Sequence, residues 1–360
     1  MIRQGPVVLV GGYGVVGTQV ARMLSGRIPG RDLVLAGRSA ERALQAAAVL
    51  PDARGAVVDV GAPDPLAGLP EKPALVVSLV NDPGDNLLRS AIRSGAALLD
   101  ITRWTERLQG ALVQSAALAP AAPVVFASSW MAGAPGLLAV HLARGFREVD
   151  RIDISILYRL RDRAGPNSVE YADQLSAPFR ILQDGRWRMV RSLTGARKVR
   201  FRSGETVKVR RFATPDLEIL PRLTGARSVE VRLGYDDPTS SGLMTFLVRS
   251  GVWGALSGKR FEALRRSFLY RPGEGADHEV RVRVEGRGTD GGMSVIEAGL
   301  SDPLGQTHMT AAATVMQVER ILGPGGEPQA GGVSLAESHP DPAAALGILR
   351  DLGVHLDLGA

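Results

Sequence analysis

The sequence predicts an α/β chain: an N-terminal doubly wound domain on a parallel sheet, then a second α+β domain on an open, largely antiparallel sheet. Three observations predict it. Continuously apolar runs alternate with helical patterns over about the first 130 residues, and a glycine cluster separates the first run from the first helix. After about Gly145 the apolar runs give way to strict alternation, the mark of strands with one solvated face. At 360 residues the chain is long enough for two domains of ordinary size. The expected division is 1–130, 131–305 for the substrate and dimerisation part, and a helix–strand–helix segment 306–360 that returns to the first domain.

In order, the first domain reads as strand Val7–Val10, helix Val15–Leu24, strand Leu33–Ala36, helix Ala40–Leu50 and strand Ala56–Val60. The same rhythm continues through strand Ala74–Leu79, helix Asp85–Ser94, strand Ala97–Ile101, helix Glu106–Leu118 and strand Pro123–Ala127. The second domain shows alternation at Arg151–Tyr158, Lys198–Phe201, Ser228–Leu233, His278–Glu285 and Met293–Ala298. A long helix, Thr310–Leu322, a Gly/Pro-rich stretch Gly323–Gly332, a last strand and a helix at Pro342–Leu352 close the chain.

Composition excludes several classes. Hydrophobic residues make up 45% and charged residues 22%, which indicates a compact globular protein. With no cysteine there are no disulfides, thiolate metal sites or thiol nucleophiles. No metal is expected, and a cytoplasmic location is. The run Val7–Val10 leads straight into glycines and reads as a strand, not a signal peptide. No apolar stretch approaches the length of a membrane span, so no membrane partner is expected. The net charge of +6 rests on 43 basic and 37 acidic residues spread along the chain, with few aromatics and no nucleic-acid module. A solvated, arginine-rich surface fits better than a nucleic-acid partner. Only Lys72, Lys198, Lys208 and Lys259 are lysines.

The chemistry begins at Gly11-Gly12-Tyr13-Gly14-Val15-Val16-Gly17. Glycines at this spacing, after a strand and opening a helix, permit a tight turn and close approach of backbone to a pyrophosphate, whose charge the helix N-terminus holds. This is a Rossmann dinucleotide site. An inert glycine-rich turn is the alternative. Strand two ends Gly37-Arg38-Ser39, without the acidic residue that holds the ribose hydroxyls of NAD. Arg38 and Ser39 suit the 2′-phosphate of NADP, so NADP is favoured over NAD; a surface arginine beside a capped helix is the plainer reading. Asp59 is a candidate contact for the adenine edge.

Ligands of doubly wound sheets sit beyond the carboxyl ends of the strands. Those ends carry Leu79-Val80-Asn81-Asp82-Pro83, Asp100-Ile101-Thr102 and Ser128-Ser129-Trp130-Met131. Val80, Asn81, Asp82 and Ser129 are candidates for the cofactor and Trp130 for the substrate, with helix capping as the alternative role of Asp82.

The runs Gly11–Arg38, Leu79–Pro83, Gly95-Ala96-Ala97-Leu98-Leu99-Asp100-Ile101 and Met131-Ala132-Gly133-Ala134-Pro135-Gly136 resemble the saccharopine dehydrogenase-like family of NADP-binding oxidoreductases. The likeness covers the N-terminal 145 residues and rests mostly on Asp100 and Pro135-Gly136. It implies a two-domain enzyme that reduces an imine, or a carbonyl plus an amine, or runs the reverse oxidation, and that dimerises through its second-domain sheet. The chain departs from the family in being short and in carrying Ser129-Trp130-Met131-Ala132 before the Pro-Gly.

Such chemistry needs a proton handler. Asp100 is the first candidate, Tyr171 beside Glu170 and His308 ahead of the long helix the others. A carboxylate-bearing substrate would want arginines, for which Arg103 and Arg159, with Arg161, are candidates. Two rival functions stay open: an NADPH-dependent carbonyl or alkene reductase, and a non-catalytic protein that senses NADP(H).

Overall fold

A computed structural model describes the chain apart from residues 1, 3, 29, 164–173, 257–259, 261–272, 274, 324–328 and 359–360. It divides into two compact units, Met1–Ala132 with Thr310–His339, and Gly133–Met309 with Pro340–Ala360. The C-terminal segment is thus shared between the two.

The first unit is built on strands β1 (Val7–Val10), β2 (Leu33–Gly37), β3 (Ala53–Val57), β4 (Leu75–Ser78), β5 (Ala97–Asp100), β6 (Pro123–Phe126) and, late in the chain, β15 (Gly332–Leu335). They pair in the order β15-β6-β5-β4-β1-β2-β3, and every pairing is parallel. The order reverses between β1 and β4, which puts the switch point of the sheet at the carboxyl end of β1. Parallel strands covered on both faces must be apolar throughout, and β1, β4, β5 and β6 are buried at all positions. Helices α1 (Val15–Leu24), α2 (Ala40–Ala47), α3 (Asn86–Ser94) and α4 (Thr105–Leu118) make the crossovers.

β3 begins at Ala53, three residues before the expected start. It is an edge strand, half exposed along its length, so apolar continuity could not mark its beginning. Gly55 lies in it because α2 passes over the strand: a Cβ there would stand 2.6 Å from the Leu44 nitrogen.

The second unit opens with α5 (Ala134–Ala143) and holds strands β7 (Phe146–Tyr158), β8 (Pro178–Gln183), β9 (Arg186–Arg191), β10 (Arg197–Arg200), β11 (Thr206–Arg211), β12 (Ser228–Tyr235), β13 (His278–Gly288), β14 (Met293–Asp302) and β16 (His355–Asp357). The main path runs β10-β11-β12-β7-β13-β14-β16, and β8 carries β9 beside β12. Only the β7–β12 pairing is parallel among these. The open, largely antiparallel sheet expected from the alternation is therefore present. One face, Ile152, Ile154, Ile156, Val229, Val231, Val280, Val282 and Val284, is buried, and α5 packs on β7 and β13. The other face is polar along most of its length. Helices α6 (Asp216–Thr224), α7 (Pro238–Arg249), α8 (Val252–Ala255), α9 (Gln306–Leu322, whose first residues belong here) and α10 (Pro342–Asp351) are the other α-helices among the described residues. Among the described residues no helix is long and apolar enough to cross a membrane.

Candidate active site

The glycine turn is held in one shape by its own backbone. Gly12 N donates to Leu9 O (3.0 Å), Gly11 N to Ala36 O (2.7 Å) and Gly14 N to Gly11 O (2.9 Å). Gly11 sits at φ +93°, in the left-handed region, and a Cβ on it would reach 2.7 Å from the Val80 side chain. A Cβ on Gly12 would stand 3.1 Å from Leu35 Cα, and one on Gly17 2.8 Å from Gly12 Cα. Gly12 and Gly17 are thus fixed by neighbouring backbone, Gly11 by its left-handed φ and the Val80 side chain, and the turn lies against Val80 just past β4. Gly14 caps α1 with no side-chain bond, and the first turn of α1 carries no acid. The N–H groups and dipole of this helix end are left for an anion. This is a cradle that fits a dinucleotide pyrophosphate.

At the end of β2, Tyr13 lies over Gly37, where a Cβ would be 2.6 Å from its ring, and its hydroxyl accepts from Ser39 N (3.1 Å). Ser39 Oγ accepts from Arg42 N (3.3 Å), so Ser39 is the N-cap of α2. The Arg42 guanidinium stacks on the Tyr13 ring at 4.7 Å. Arg38 is exposed, and among the described residues neither Arg38 nor Arg42 is in an ion pair. Arg42 was not among the expected residues; its spacing of four from Arg38, on the turn that follows β2, is the signal that points to it. Asp59 is exposed and closes a turn by accepting from Gly61 N (2.9 Å).

Beyond β4 and β5 the expected residues form a cluster of their own. Asp82 accepts from Asn86 N (2.9 Å) and Leu88 N (3.2 Å), which makes it a cap of α3, and burial pushes its carboxyl above the usual range. Asn81 stands half-buried before it. Asp100 is buried and both oxygens are engaged: Oδ1 accepts from Thr102 N (2.9 Å) and Oγ1 (3.0 Å), Oδ2 from Arg103 Nε (2.7 Å). Arg103 also bonds Asp85, lies 3.9 Å from Asp82, sits above the Phe126 ring and is 3% exposed. Arg107 joins at Asp85 (2.7 Å) and at the Asp82 carbonyl. The site expected to hand a proton and grip a substrate therefore brings Asp82, Asp85, Asp100 and Arg103 together as a buried ion network. Arg103 spends its charge inside the domain, and Asp100 orients Arg103.

Ser129 gives its hydroxyl to the buried Glu337, at the end of β15. Trp130 follows in a tight turn, Trp130–Gly133, where Met131 (φ 48°), Ala132 (φ 51°) and Gly133 (φ 88°) are successively left-handed. Two non-glycine residues in that region store strain of about 1–3 kcal/mol each, a mark of functional segments.

In the second unit, His308 Nδ1 pairs with Asp302 Oδ2 at 2.7 Å; the carboxylate is fully buried and the ring slightly exposed. Asp302 also accepts from Leu304 N (2.9 Å). A ring whose Nδ1 is fixed by a carboxylate presents Nε2 as its free nitrogen. Asp302 escaped the sequence reading because a polar residue ending a strand resembles any loop aspartate. Arg159 is already paired with Glu205 (3.1 Å) and Asp277 (2.8 Å). Tyr171 lies outside the described residues. Among the described residues no group of three histidines and acids is placed to hold a metal.

Asp162 ties the start of α9, accepting from Gln306 N (2.8 Å), Arg163 N (2.7 Å) and Ala276. Burial raises its carboxyl to about 6, with Asp302 nearby adding to the shift. Its ionisation is disfavoured by folding, so this contribution is full below about pH 4 and is lost as pH rises through 6. The loss amounts to about 3 kcal/mol. Thermal unfolding of the wild type should therefore shift upward between pH 8 and pH 5.5 more than that of Asp162→Asn. Equal shifts in the two proteins would remove Asp162 as the cause.

The fold and the turn together define a two-unit α/β architecture of the dinucleotide-binding kind. Its likeness is to apo saccharopine dehydrogenase (L-Glu forming) from Saccharomyces cerevisiae, with TM-score 0.70 and 13% identity over 98% of this chain and 99% of that one. The chain has the saccharopine dehydrogenase-like fold. A myo-inositol dehydrogenase from Corynebacterium glutamicum matches over 97% of this chain and 95% of its own, at 11% identity and TM-score 0.45, too distant to carry an argument. No family model and no curated protein matches the chain.

Proposed function

We propose that the chain is an NADP(H)-dependent oxidoreductase that reduces an imine, or a carbonyl plus an amine, or oxidises the corresponding C–N bond of a small amino-acid-like substrate. The observation that carries this reading is the cradle at Gly11–Gly17 together with the end of β2, where two arginines stand without carboxylate partners among the described residues. The fold likeness supports the C–N part of the reading, since the matched protein is a saccharopine dehydrogenase.

In this reading Gly11, Gly12, Gly14 and Gly17 let the backbone meet the pyrophosphate, and the N–H groups of α1 hold its charge. Arg38 and Arg42 take the 2′-phosphate, with Tyr13 fixing the Arg42 plane. The nicotinamide, when bound, supplies the hydride. His308, held by Asp302, carries the proton at Nε2. Asp100 and Arg103 keep the loops after β4 and β5 rigid around the cofactor end.

The test is a fluorescence titration with NADPH and NADH. Wild type should prefer NADPH, and Arg38→Ala should weaken it by roughly 1–3 kcal/mol while leaving NADH nearly unchanged. Binding of neither nucleotide would end the oxidoreductase reading.

A further inference from the structure

The basic residues are not spread evenly along the chain. Residues 178–211 hold eleven of the 43 lysines and arginines and only two of the 37 acids, so the remainder of the chain is net negative. The span forms β8 to β11, two hairpins that both pair with the edge of β12 away from β7. Both of its acids are engaged, Glu205 with Arg159 and Asp184 with Ser228.

Register fixes the side of the sheet on which each of these residues stands. Residues paired across a ladder share a face, and faces alternate along a strand. Val229, Val231 and Leu233 of β12 are buried on the helix-covered side, paired with Ile152, Ile154 and Ile156. Leu182 stands opposite Val229 and Trp187 opposite Leu182, so Trp187, Met189 and Arg191 of β9 are on that side. Arg210 stands opposite Leu233, which puts Lys208 there too, with Lys198 directly across from it and Arg200 next along β10. Two contacts agree: Arg210 donates to Ser241 Oγ on α7 (2.8 Å), and Arg180, opposite Met189, pairs with Glu218 on α6. Arg191, Lys198, Arg200 and Lys208 are exposed and in no ion pair among the described residues. Trp187 and Met189, on the same side, are 42% and 66% exposed. β8 to β11 place no acid on this side.

Like charges directly opposite in a ribbon repel, so Lys198 facing Lys208 lowers the stability of β10–β11, which an acid at either place would raise. Unpaired cations with an exposed Trp and Met among them match the charge and the amphipathic headgroup zone of an anionic bilayer. Shape favours the same partner. Arg197, on the other side of β10, donates to Asp153 on β7 (2.9 Å), although β10 is three places away, so the sheet curls toward its polar side and the basic side is convex. A convex surface meets a plane, whereas a single strand of nucleic acid needs a groove with several aromatic platforms, and Trp187 is the one aromatic residue that β8 to β11 place on this side.

We propose that the convex side of β9–β11 docks on an anionic membrane surface, with Arg191, Lys198, Arg200 and Lys208 on the lipid phosphates and carboxylates and Trp187 and Met189 among the headgroups. This is surface attachment, not a span, and it does not depend on the redox reading.

The experiment is co-sedimentation of the full chain with vesicles of phosphatidylcholine plus phosphatidylserine, and of phosphatidylcholine alone, at low and high salt, with duplex DNA as a competitor. It is repeated on Lys198→Ala/Lys208→Ala and on Arg186→Ala/Arg188→Ala, which removes the same charge from the opposite side of β9, where both arginines are also exposed. Binding is expected to the phosphatidylserine vesicles only, and salt should weaken it. The lysine variant should bind at least tenfold more weakly and the arginine variant much as the wild type does. A thermal midpoint no lower than that of the wild type shows that each variant folds. No binding to the phosphatidylserine vesicles, equal binding to both kinds of vesicle, equal losses in the two variants, or displacement of the vesicles by DNA would overturn the proposal.

Discussion

Replacing Arg103 with methionine is expected to cost about 3–5 kcal/mol of stability, the scale of a buried charge pair broken from one side. Methionine keeps the bulk and leaves Asp82 and Asp100, both buried, and Asp85, partly so, without their shared cation. Arg107 still reaches Asp85, so the orphaned charges are chiefly the other two. They would be driven toward their neutral forms, and the sign of the pH dependence follows. Carboxylates with raised folded pKa values cost stability above those values, and the cost fades as pH falls. The deficit of Arg103→Met should be large at pH 7.5 and much smaller near pH 4.5, read by urea denaturation at both. Arg103→Lys keeps the charge but not the fork that meets Asp100 and Asp85 together, and should fall between. A deficit independent of pH would mean that Arg103 contributes packing against Phe126, not charge.

Gly17→Val should abolish nucleotide binding and destabilise the first unit by about 1–3 kcal/mol or more, the usual cost of overpacking a rigid contact. A side chain at position 17 meets Gly11 O and the Gly12 backbone, and neither is the end of a flexible side chain that can swing away. The turn must open, and opening it moves the N–H groups that face the anion. Gly14→Ala is the contrast: its Cβ would come only to 3.1 Å from Gly11 O, a contact that a few tenths of an ångström relieves. Titration with NADPH should therefore show loss of binding for Gly17→Val and a modest weakening for Gly14→Ala. Wild-type affinity in Gly17→Val would remove the turn from the binding site.

The parallel sheet was legible because β1, β4, β5 and β6 are buried on both faces and must be written mostly in apolar residues, and because Gly12 and Gly17 stand against backbone that leaves no room for a side chain. The hairpin β8–β9 was not. Arg186-Trp187-Arg188-Met189-Val190-Arg191 is exposed at nearly every position, so neither face has to be apolar and periodicity carries no message. Helices α6, α7 and α8 escaped for a related reason, since Pro221 interrupts α6 and most of α7 faces solvent.

At the site, spacing pointed to the glycine turn, while Arg38 and His308 were candidates only by their places after strand two and ahead of the long helix, and partners joined across the sheet could not be read from local pattern. Asp100 and Arg103 are three residues apart, yet only the fold brings Asp82 and Asp85 onto the same guanidinium. Arg42 stands four residues beyond Arg38, but its stacking on Tyr13, far behind it in the chain, is a contact that only the fold makes.

The place of β15 sets a timetable for the nascent chain. The sheet of the first unit gains its last strand, beside β6, only after some two hundred intervening residues have been made. While the ribosome works through them, β6 presents an open row of N–H and C=O groups and an apolar surface, the features that recruit unwanted strands. The domain begun first waits for nearly all of the chain before its sheet is complete, and its exposed margin must be kept from other chains until β15 arrives to cover it.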